Sequence, residues 1–190
     1  MIGTSGGDQI QGGSRPNFIA GLGGNDVLSG GAGNDTIRGG KGADVIDGED
    51  GDDTCYGDRD DDIATGGKGN DVISGGKGND QLFGDEGEDT LLGGIRIDVL
   101  EGGPGTDVLI LWAAEANADP NQVDRLFYND LEDFIGLTDG LSFDSLTFEL
   151  VDAGAGSAPD TLIRIAGGRA LGIVLDTMPT DLNPPDFVAV

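Results

Sequence analysis

Gly66-Gly67-Lys68-Gly69-Asn70-Asp71-Val72-Ile73-Ser74 runs without a gap into Gly75-Gly76-Lys77-Gly78-Asn79-Asp80-Gln81-Leu82-Phe83. Both are one nonapeptide, Gly-Gly-x-Gly-x-Asp-x-U-x, where U is a large aliphatic residue. The same pattern is complete in Gly30 to Arg38, Gly39 to Asp47 and Gly102 to Ile110. Carried outward in nines, the frame holds from Gly3 to Ile110 with no insertion. Position 6 is acidic in all blocks but one, at Asp8, Asp26, Asp35, Asp44, Asp53, Asp62, Asp71, Asp80, Asp89, Asp98 and Asp107, with Asn17 the exception. Position 8 is Ile10, Ile19, Leu28, Ile37, Ile46, Cys55, Ala64, Ile73, Leu82, Leu91, Leu100 and Leu109, flanked by mixed residues. That is the inward and outward alternation of a short strand, here read as three residues long.

The glycines at positions 1, 2 and 4 are expected to supply positive φ, so that six residues close a tight loop before each strand. So short a strand has no core of its own and is stable only when stacked on its neighbours. Two blocks, eighteen residues, are expected to make one turn of a solenoid. Loops of equal parity then stack on one edge, Asp8, Asp26, Asp44, Asp62, Asp80 and Asp98 on the first and Asp35, Asp53, Asp71, Asp89 and Asp107 on the second. Neighbouring carboxylates would repel at that spacing. A hard divalent cation resolves the conflict, since Ca²⁺ takes six to eight oxygen ligands at about 2.3–2.6 Å from carboxylates and carbonyls together. The pairs along the two edges set an upper limit of about nine calcium ions.

The whole chain points to cations as partners. It carries 36 acidic and 10 basic residues, a formal charge of −26, which repels nucleic acid and anionic membrane surfaces. Residues 1–110 alone hold 22 acidic and 7 basic side chains, −15. Nine calcium ions would bring them to about +3. Calcium binding and folding are therefore expected to be coupled, because sites assembled from separate turns do not exist in an unfolded chain. Arg15, Asp60 and Arg96 replace glycine at position 4 and weaken the pattern locally. The single Cys55 makes no internal disulfide and reads as a core filler. No run of about 18 apolar residues is present, and Met1-Ile2-Gly3-Thr4-Ser5-Gly6-Gly7 lacks the basic and apolar regions of an N-terminal signal peptide.

The nonapeptide is similar to the repeat of the RTX, or hemolysin-type, calcium-binding proteins. The resemblance implies an all-β fold, a right-handed parallel β-roll with two nonapeptides per turn. Val123-Asp124-Arg125-Leu126 and Leu131-Glu132-Asp133-Phe134-Ile135-Gly136-Leu137 look like the stretch that closes the roll in such exoproteins. The resemblance further implies export through the type I secretion machinery, with an uncleaved signal at the extreme C-terminus. Asp186-Phe187-Val188-Ala189-Val190 is similar to such a signal. A secreted, extracellular location follows from the resemblance, as does folding in calcium outside the cell.

From Leu111 the period stops, and Trp112, Phe127, Tyr128, Phe134, Phe143 and Phe148 enter. The chain thus divides into a roll, 1–110, and a small β-rich cap, 111–190. Leu146 to Leu150 alternates like a half-buried strand. Leu162 to Ala166 and Leu171 to Leu175, either side of Gly167-Gly168, read as a hairpin. A cap covers the apolar end and unpaired strand edge of a solenoid.

Catalysis is not expected. The absence of histidine excludes His-based triads and histidine zinc sites. Gly3-Thr4-Ser5-Gly6-Gly7 has the form of a nucleophile elbow but lies inside a repeat without a base. Asp58, Asp60 and Asp62 begin like an EF-hand loop yet lack its glycine and its final glutamate. The expected role is a structural or cell-surface one. Recognition of extracellular polysaccharide, or service as the export and folding module of a secreted enzyme, are the alternatives.

Overall fold

The computed structural model describes residues 1–111, 124–127, 133–137, 141, 146–151, 160–165, 170–174, 182 and 184–189. Trp112, Tyr128, Phe143, Gly167, Gly168 and Val190 lie outside them. In chain order the strands are β1 (Gln9–Gln11), β2 (Phe18–Ala20), β3 (Val27–Ala32), β4 (Thr36–Arg38), β5 (Val45–Asp50), β6 (Thr54–Arg59), β7 (Ile63–Lys68), β8 (Val72–Lys77) and β9 (Gln81–Glu86). There follow β10 (Thr90–Ile95), β11 (Val99–Glu101), β12 (Val108–Leu111), β13 (Asp124–Phe127), β14 (Phe134–Leu137), β15 (Leu146–Val151), β16 (Asp160–Ile165), β17 (Ala170–Val174) and β18 (Phe187–Ala189). Among the described residues no helix is long and apolar enough to cross a membrane.

From β1 to β14 successive strands fall alternately into two sheets, ordered β1-β3-β5-β7-β9-β11-β13-β17-β16-β15 and β18-β14-β12-β10-β8-β6-β4-β2. Within the repeats every pairing is parallel at an offset of eighteen: Leu28 faces Ile46, Ile46 faces Ala64, and Ile73 faces Leu91. The molecule is a β-solenoid of about six turns, two nonapeptides to the turn.

Most strands of the repeats, β3 and β5 to β10, are six residues long rather than three. The ladder runs on through positions 1 to 3 of the next block, as in Gly31 opposite Glu49 and Ala32 opposite Asp50. The alternation extends with it: positions 6, 8 and 1 face inward. Every position-8 side chain from Ile19 to Leu109 is at most 1% exposed and belongs to one continuous core, which includes Cys55 as a free, buried thiol.

The three glycines of the motif serve two different purposes. Positions 2 and 4 do take positive φ, as at Gly40 (117°), Gly42 (108°), Gly67 (111°) and Gly69 (125°). Position 1 does not. Its glycine is required because it faces the position-6 carboxylate of its own block: a Cβ on Gly66 would lie 2.8 Å from Cβ and Cγ of Asp71. From the third block onward, where other residues occupy positions 2 or 4 they are held in the same left-handed region, among them Leu22 (82°), Glu49 (74°), Asp60 (72°) and Arg96 (105°); Thr4 and Arg15, in the first two blocks, are not.

The ladder does not stop at Ile110. β13 continues the first sheet beyond β11 and β14 the second beyond β12. β17 adds to β13 in parallel, and β16 and β15 complete an antiparallel meander, so the hairpin read from Leu162 to Leu175 is formed by β16 and β17. β18 closes the other sheet on β14. The segment similar to an export signal therefore supplies an edge strand.

Two substitutions separate the glycine roles. Arg96→Gly removes a side chain from φ 105° and is expected to stabilise the folded chain by about 1 kcal/mol in denaturant titration. Gly66→Ala is expected to destabilise it by roughly 1–3 kcal/mol, the scale of overpacking a core.

Candidate metal centre

The inward-facing aspartates form two ladders, one on each edge of the roll. On the first, the backbone N–H of Asp26 donates to Oδ1 of Asp44, Asp44 to Asp62, Asp62 to Asp80 and Asp80 to Asp98, each at 2.8 Å. On the second, Asp35 donates to Asp53 at 2.6 Å, Asp53 to Asp71 at 2.7 Å, and Asp71 to Asp89 and Asp89 to Asp107 at 2.8 Å. Each carboxylate thus spends one oxygen on the backbone of the preceding turn. The register of the parallel sheets brings this about, since equal positions of successive turns lie one strand spacing apart, about 4.8 Å.

The other oxygen is what gives the site its chemistry. All ten position-6 aspartates from Asp26 to Asp107 are at most 2% exposed. In Asp26, Asp35, Asp44, Asp53, Asp62, Asp71, Asp80 and Asp89, Oδ2 is buried and meets no hydrogen-bond donor. It faces the position-1 glycine of its own loop; a carbonyl oxygen from the next turn also lies beside that glycine, as Gly75 O does at Gly57 and Gly48 O at Gly30. A buried acceptor without a donor costs several kcal/mol, and a buried charge without a counter-charge more. A row of such oxygens has the chemistry of candidate cation ligands.

Electrostatics points the same way. Burial, the largest cause, pushes the carboxyl groups of Asp44, Asp53 and Asp80 up to about 6, Asp89 to about 7 and Asp62 to about 8. Asp71 is raised for the same reason. The backbone N–H of the preceding turn opposes this shift in each case, while neighbouring carboxylates reinforce it. The same burial raises the Cys55 thiol.

The first two blocks, one at the start of each edge, show protein groups occupying these acceptors instead. In the first block Thr4 stands at position 2, and its N–H (2.6 Å) and Oγ1 (2.9 Å) both donate to Asp8 Oδ2. Asp8 is half-buried, and its second oxygen is satisfied by protein. In the second block the Asn17 amide donates to Asp35 Oδ1 at 3.0 Å and also to the carbonyl of Arg15 at position 4. A neutral NH₂ group bridges the acceptors that a charged side chain would leave to a metal.

Of the eleven aspartates singled out by the repeat, ten are thus brought into the two buried ladders, and Asp8 begins one of them at its exposed end. Two others were missed. Asp124 and Asp133, 3% and 4% exposed, occupy the next rung on each edge: the Asp98 N–H donates to Asp124 Oδ1 at 3.1 Å and the Asp107 N–H to Asp133 Oδ1 at 3.3 Å. Their signal is spacing, for they are nine apart and each is followed two residues later by a buried aliphatic, Leu126 or Ile135. With them the adjacent acidic pairs rise from nine to eleven.

Among the described residues no three acidic, cysteine or histidine side chains converge on one point. A cation on a rung would draw on carboxylates of adjacent turns and complete its shell with loop carbonyls. The donor set is all oxygen, which suits a hard cation such as Ca²⁺ and not a thiophilic one.

No curated protein matches the chain. Among solved structures it is similar over 99% of its length to the extracellular lipase LipA of Serratia marcescens, at 17% identity and a TM-score of 0.48, and spans 39% of that lipase chain. A subunit of the Azotobacter vinelandii mannuronan C5-epimerase matches 69% of the chain and is itself covered over 78%, at 24% identity and a TM-score of 0.48. The family model described as the RTX calcium-binding nonapeptide repeat matches four times, at residues 2–37, 29–64, 56–91 and 83–113, more than half of the sequence. With the glycine frame, the buried aspartate ladders and these four matches in agreement, the chain belongs to the RTX calcium-binding nonapeptide repeat family.

Proposed function

We propose that the chain is a secreted protein whose roll folds as it binds several calcium ions between stacked loops, and that it serves a structural or cell-surface role without catalysis. The observation that carries this reading is the row of eight buried carboxylate oxygens without a donor. Calcium supplies charge neutralisation and oxygen coordination there; the aspartates orient it, and the backbone N–H of the preceding turn fixes each carboxylate in place. Export rests on the family and on the likeness of Asp186-Phe187-Val188-Ala189-Val190 to an export signal. A millimolar extracellular concentration suits modular calcium sites of this kind, so folding would follow export. The lack of histidine and the repetition of the carboxylate pairs at every turn argue against a unique active site.

One feature supports a second reading, recognition of an anionic polysaccharide. Lys41, Arg59 and Lys77 hold position 3 on three consecutive turns of one edge, and with Arg96 they line a groove that also contains Asp60 and Asp61. Four of the chain's ten basic residues are gathered there. Calcium loading of the ladder beneath would leave this groove positive.

Three measurements test these readings. Far-UV circular dichroism during a calcium titration is expected to show a cooperative gain of β signal, absent with magnesium and reversed by chelator; an unchanged spectrum overturns calcium-driven folding. The pH dependence is expected to reverse with calcium. Carboxyl groups raised in the folded state favour folding below their unfolded values, near 4, and this contribution is lost as pH rises through about 6 to 8. The metal-free chain should therefore gain β structure when acidified from pH 8.5 to 5, whereas the calcium midpoint should fall as pH rises over the same range. For the second reading, the calcium-loaded protein should be retained on an immobilised sulfated polysaccharide in a salt-sensitive manner, and Lys41→Glu with Lys77→Glu should abolish retention. Passage of the unaltered protein through the column overturns it.

A further inference from the structure

On the outer face of the second sheet, Tyr56, Ser74 and Leu92 follow one another at equal register on three successive turns, as do Asp58, Gly76 and Gly94. The two glycines and the serine leave a depression of about 230 Å³, walled by Tyr56 and Asp58 on one side and by Leu92 and Ile95 on the other. Most of its lining is apolar, with the Ser74 hydroxyl and the Lys77 ammonium at hand.

Tyr56 is set in place from behind. Arg38, on the preceding turn, lies 5.3 Å from the centre of its ring. The same guanidinium donates to both carboxylate oxygens of Asp58, from Nε at 3.0 Å and from Nη2 at 2.7 Å. One arginine thus fixes the ring and neutralises the one acid of the depression. Arg38 takes no part in the lining, so the ring meets the depression on the side turned toward Ser74. A half-buried aromatic ring, held on one face and open on the other, is a stacking platform.

The depression is continuous with the cationic groove, because Lys77 and Ile95 line both. In that groove the acidic side chains are already engaged. Asp60 accepts from the Gly42 N–H at 3.0 Å, and Asp61 accepts from the backbone and side-chain amides of Asn79 at 2.8 and 3.0 Å. Among the described residues Lys41, Arg59, Lys77 and Arg96 form no ion pair, although the chain holds 36 acidic residues. Free cations beside an apolar shelf with an aromatic face suit a ligand that carries both negative charge and rings.

Resting on the second reading above, recognition of an anionic polysaccharide, we propose that the two cavities form one site, which reads the sugar as well as its charge. One sugar ring packs between the open face of Tyr56 and Leu92, and its anionic substituent meets Lys77. The neighbouring units follow the row of cations, which are spaced by about 4.8 Å per turn. Tyr56 is the residue that separates an acidic polysaccharide from other polyanions, and Arg38 is its positioning residue.

The test compares the affinity of the full calcium-loaded chain for dextran sulfate and for poly(vinyl sulfonate), a polyanion without sugar rings. The unaltered protein is expected to prefer dextran sulfate on the order of tenfold, the scale of a single aromatic contact. Tyr56→Ala is expected to lose this preference while the salt dependence of dextran sulfate binding stays as it was, and Tyr56→Phe to keep it. Lys41→Glu with Lys77→Glu should lose both polymers. Calcium-induced circular dichroism checks that each variant folds, and Leu92→Ser, on the opposite wall, replaces Tyr56→Ala should that variant not fold. Equal affinity of the unaltered protein for the two polymers, or a preference that survives loss of the ring, overturns the shelf and leaves the cationic groove standing. Binding of neither polymer overturns the polysaccharide reading, and the shelf with it.

Discussion

Everything in this molecule depends on burying a carboxylate once every nine residues. The aspartate faces inward between the loop glycine and the aliphatic core, accepts one hydrogen bond from the turn before, and holds its second oxygen in a place water does not reach. In the absence of a cation the rungs oppose folding, since each must be desolvated beside a like charge. A cation between them would supply the missing counter-charge. The remaining contacts are modest: a single column of aliphatic side chains and a ladder of parallel backbone bonds, each turn touching only its neighbours.

The glycines follow from that burial. At position 1 the absent Cβ leaves room for the carboxylate, and at positions 2 and 4 the left-handed backbone turns the chain sharply enough for the next strand to restart on the opposite sheet. The second requirement is softer than the first. Leu22, Glu49, Asp58, Asp60, Asp85 and Arg96 all adopt positive φ at positions 2 or 4, at a cost of about 1–2 kcal/mol apiece, whereas position 1 is glycine in every block from Gly3 to Gly102. The sequence thus tolerates strain in the loop but not a side chain against the ligand.

The roll was legible because its period is unbroken. The count of nine, the acidic sixth position and the aliphatic eighth specify two residues per block that face inward, and the eighteen-residue turn follows from parity. What escaped lies where the frame alone is silent. The extension of each strand through positions 1 to 3 is hidden by glycine, whose weak strand preference marks a loop although the backbone still pairs. The distinct purpose of the first glycine depends on a contact five residues away in the same block, between Gly66 and Asp71 for instance. Asp124 and Asp133 escaped because eight inserted residues move them off the register, and only their mutual spacing of nine preserves a trace. The hairpin of β16 and β17 was readable from local alternation, but its parallel attachment to β13 joins residues 48 apart, Asp124 and Gly172, which no local pattern reports.

Alternation between two sheets gives the fold a parity. The cap does not meet a symmetric end: β13 with its antiparallel meander extends one sheet, and β14 with β18 extends the other. Loss or gain of one nonapeptide would deliver every downstream strand to the opposite sheet and present the cap with its mirror assignment, while loss or gain of two would shorten or lengthen the rod by one rung and leave every partnership intact. Length in such a chain is therefore quantised in steps of eighteen residues. Growth by tandem duplication is permitted only in pairs, however freely single blocks are copied.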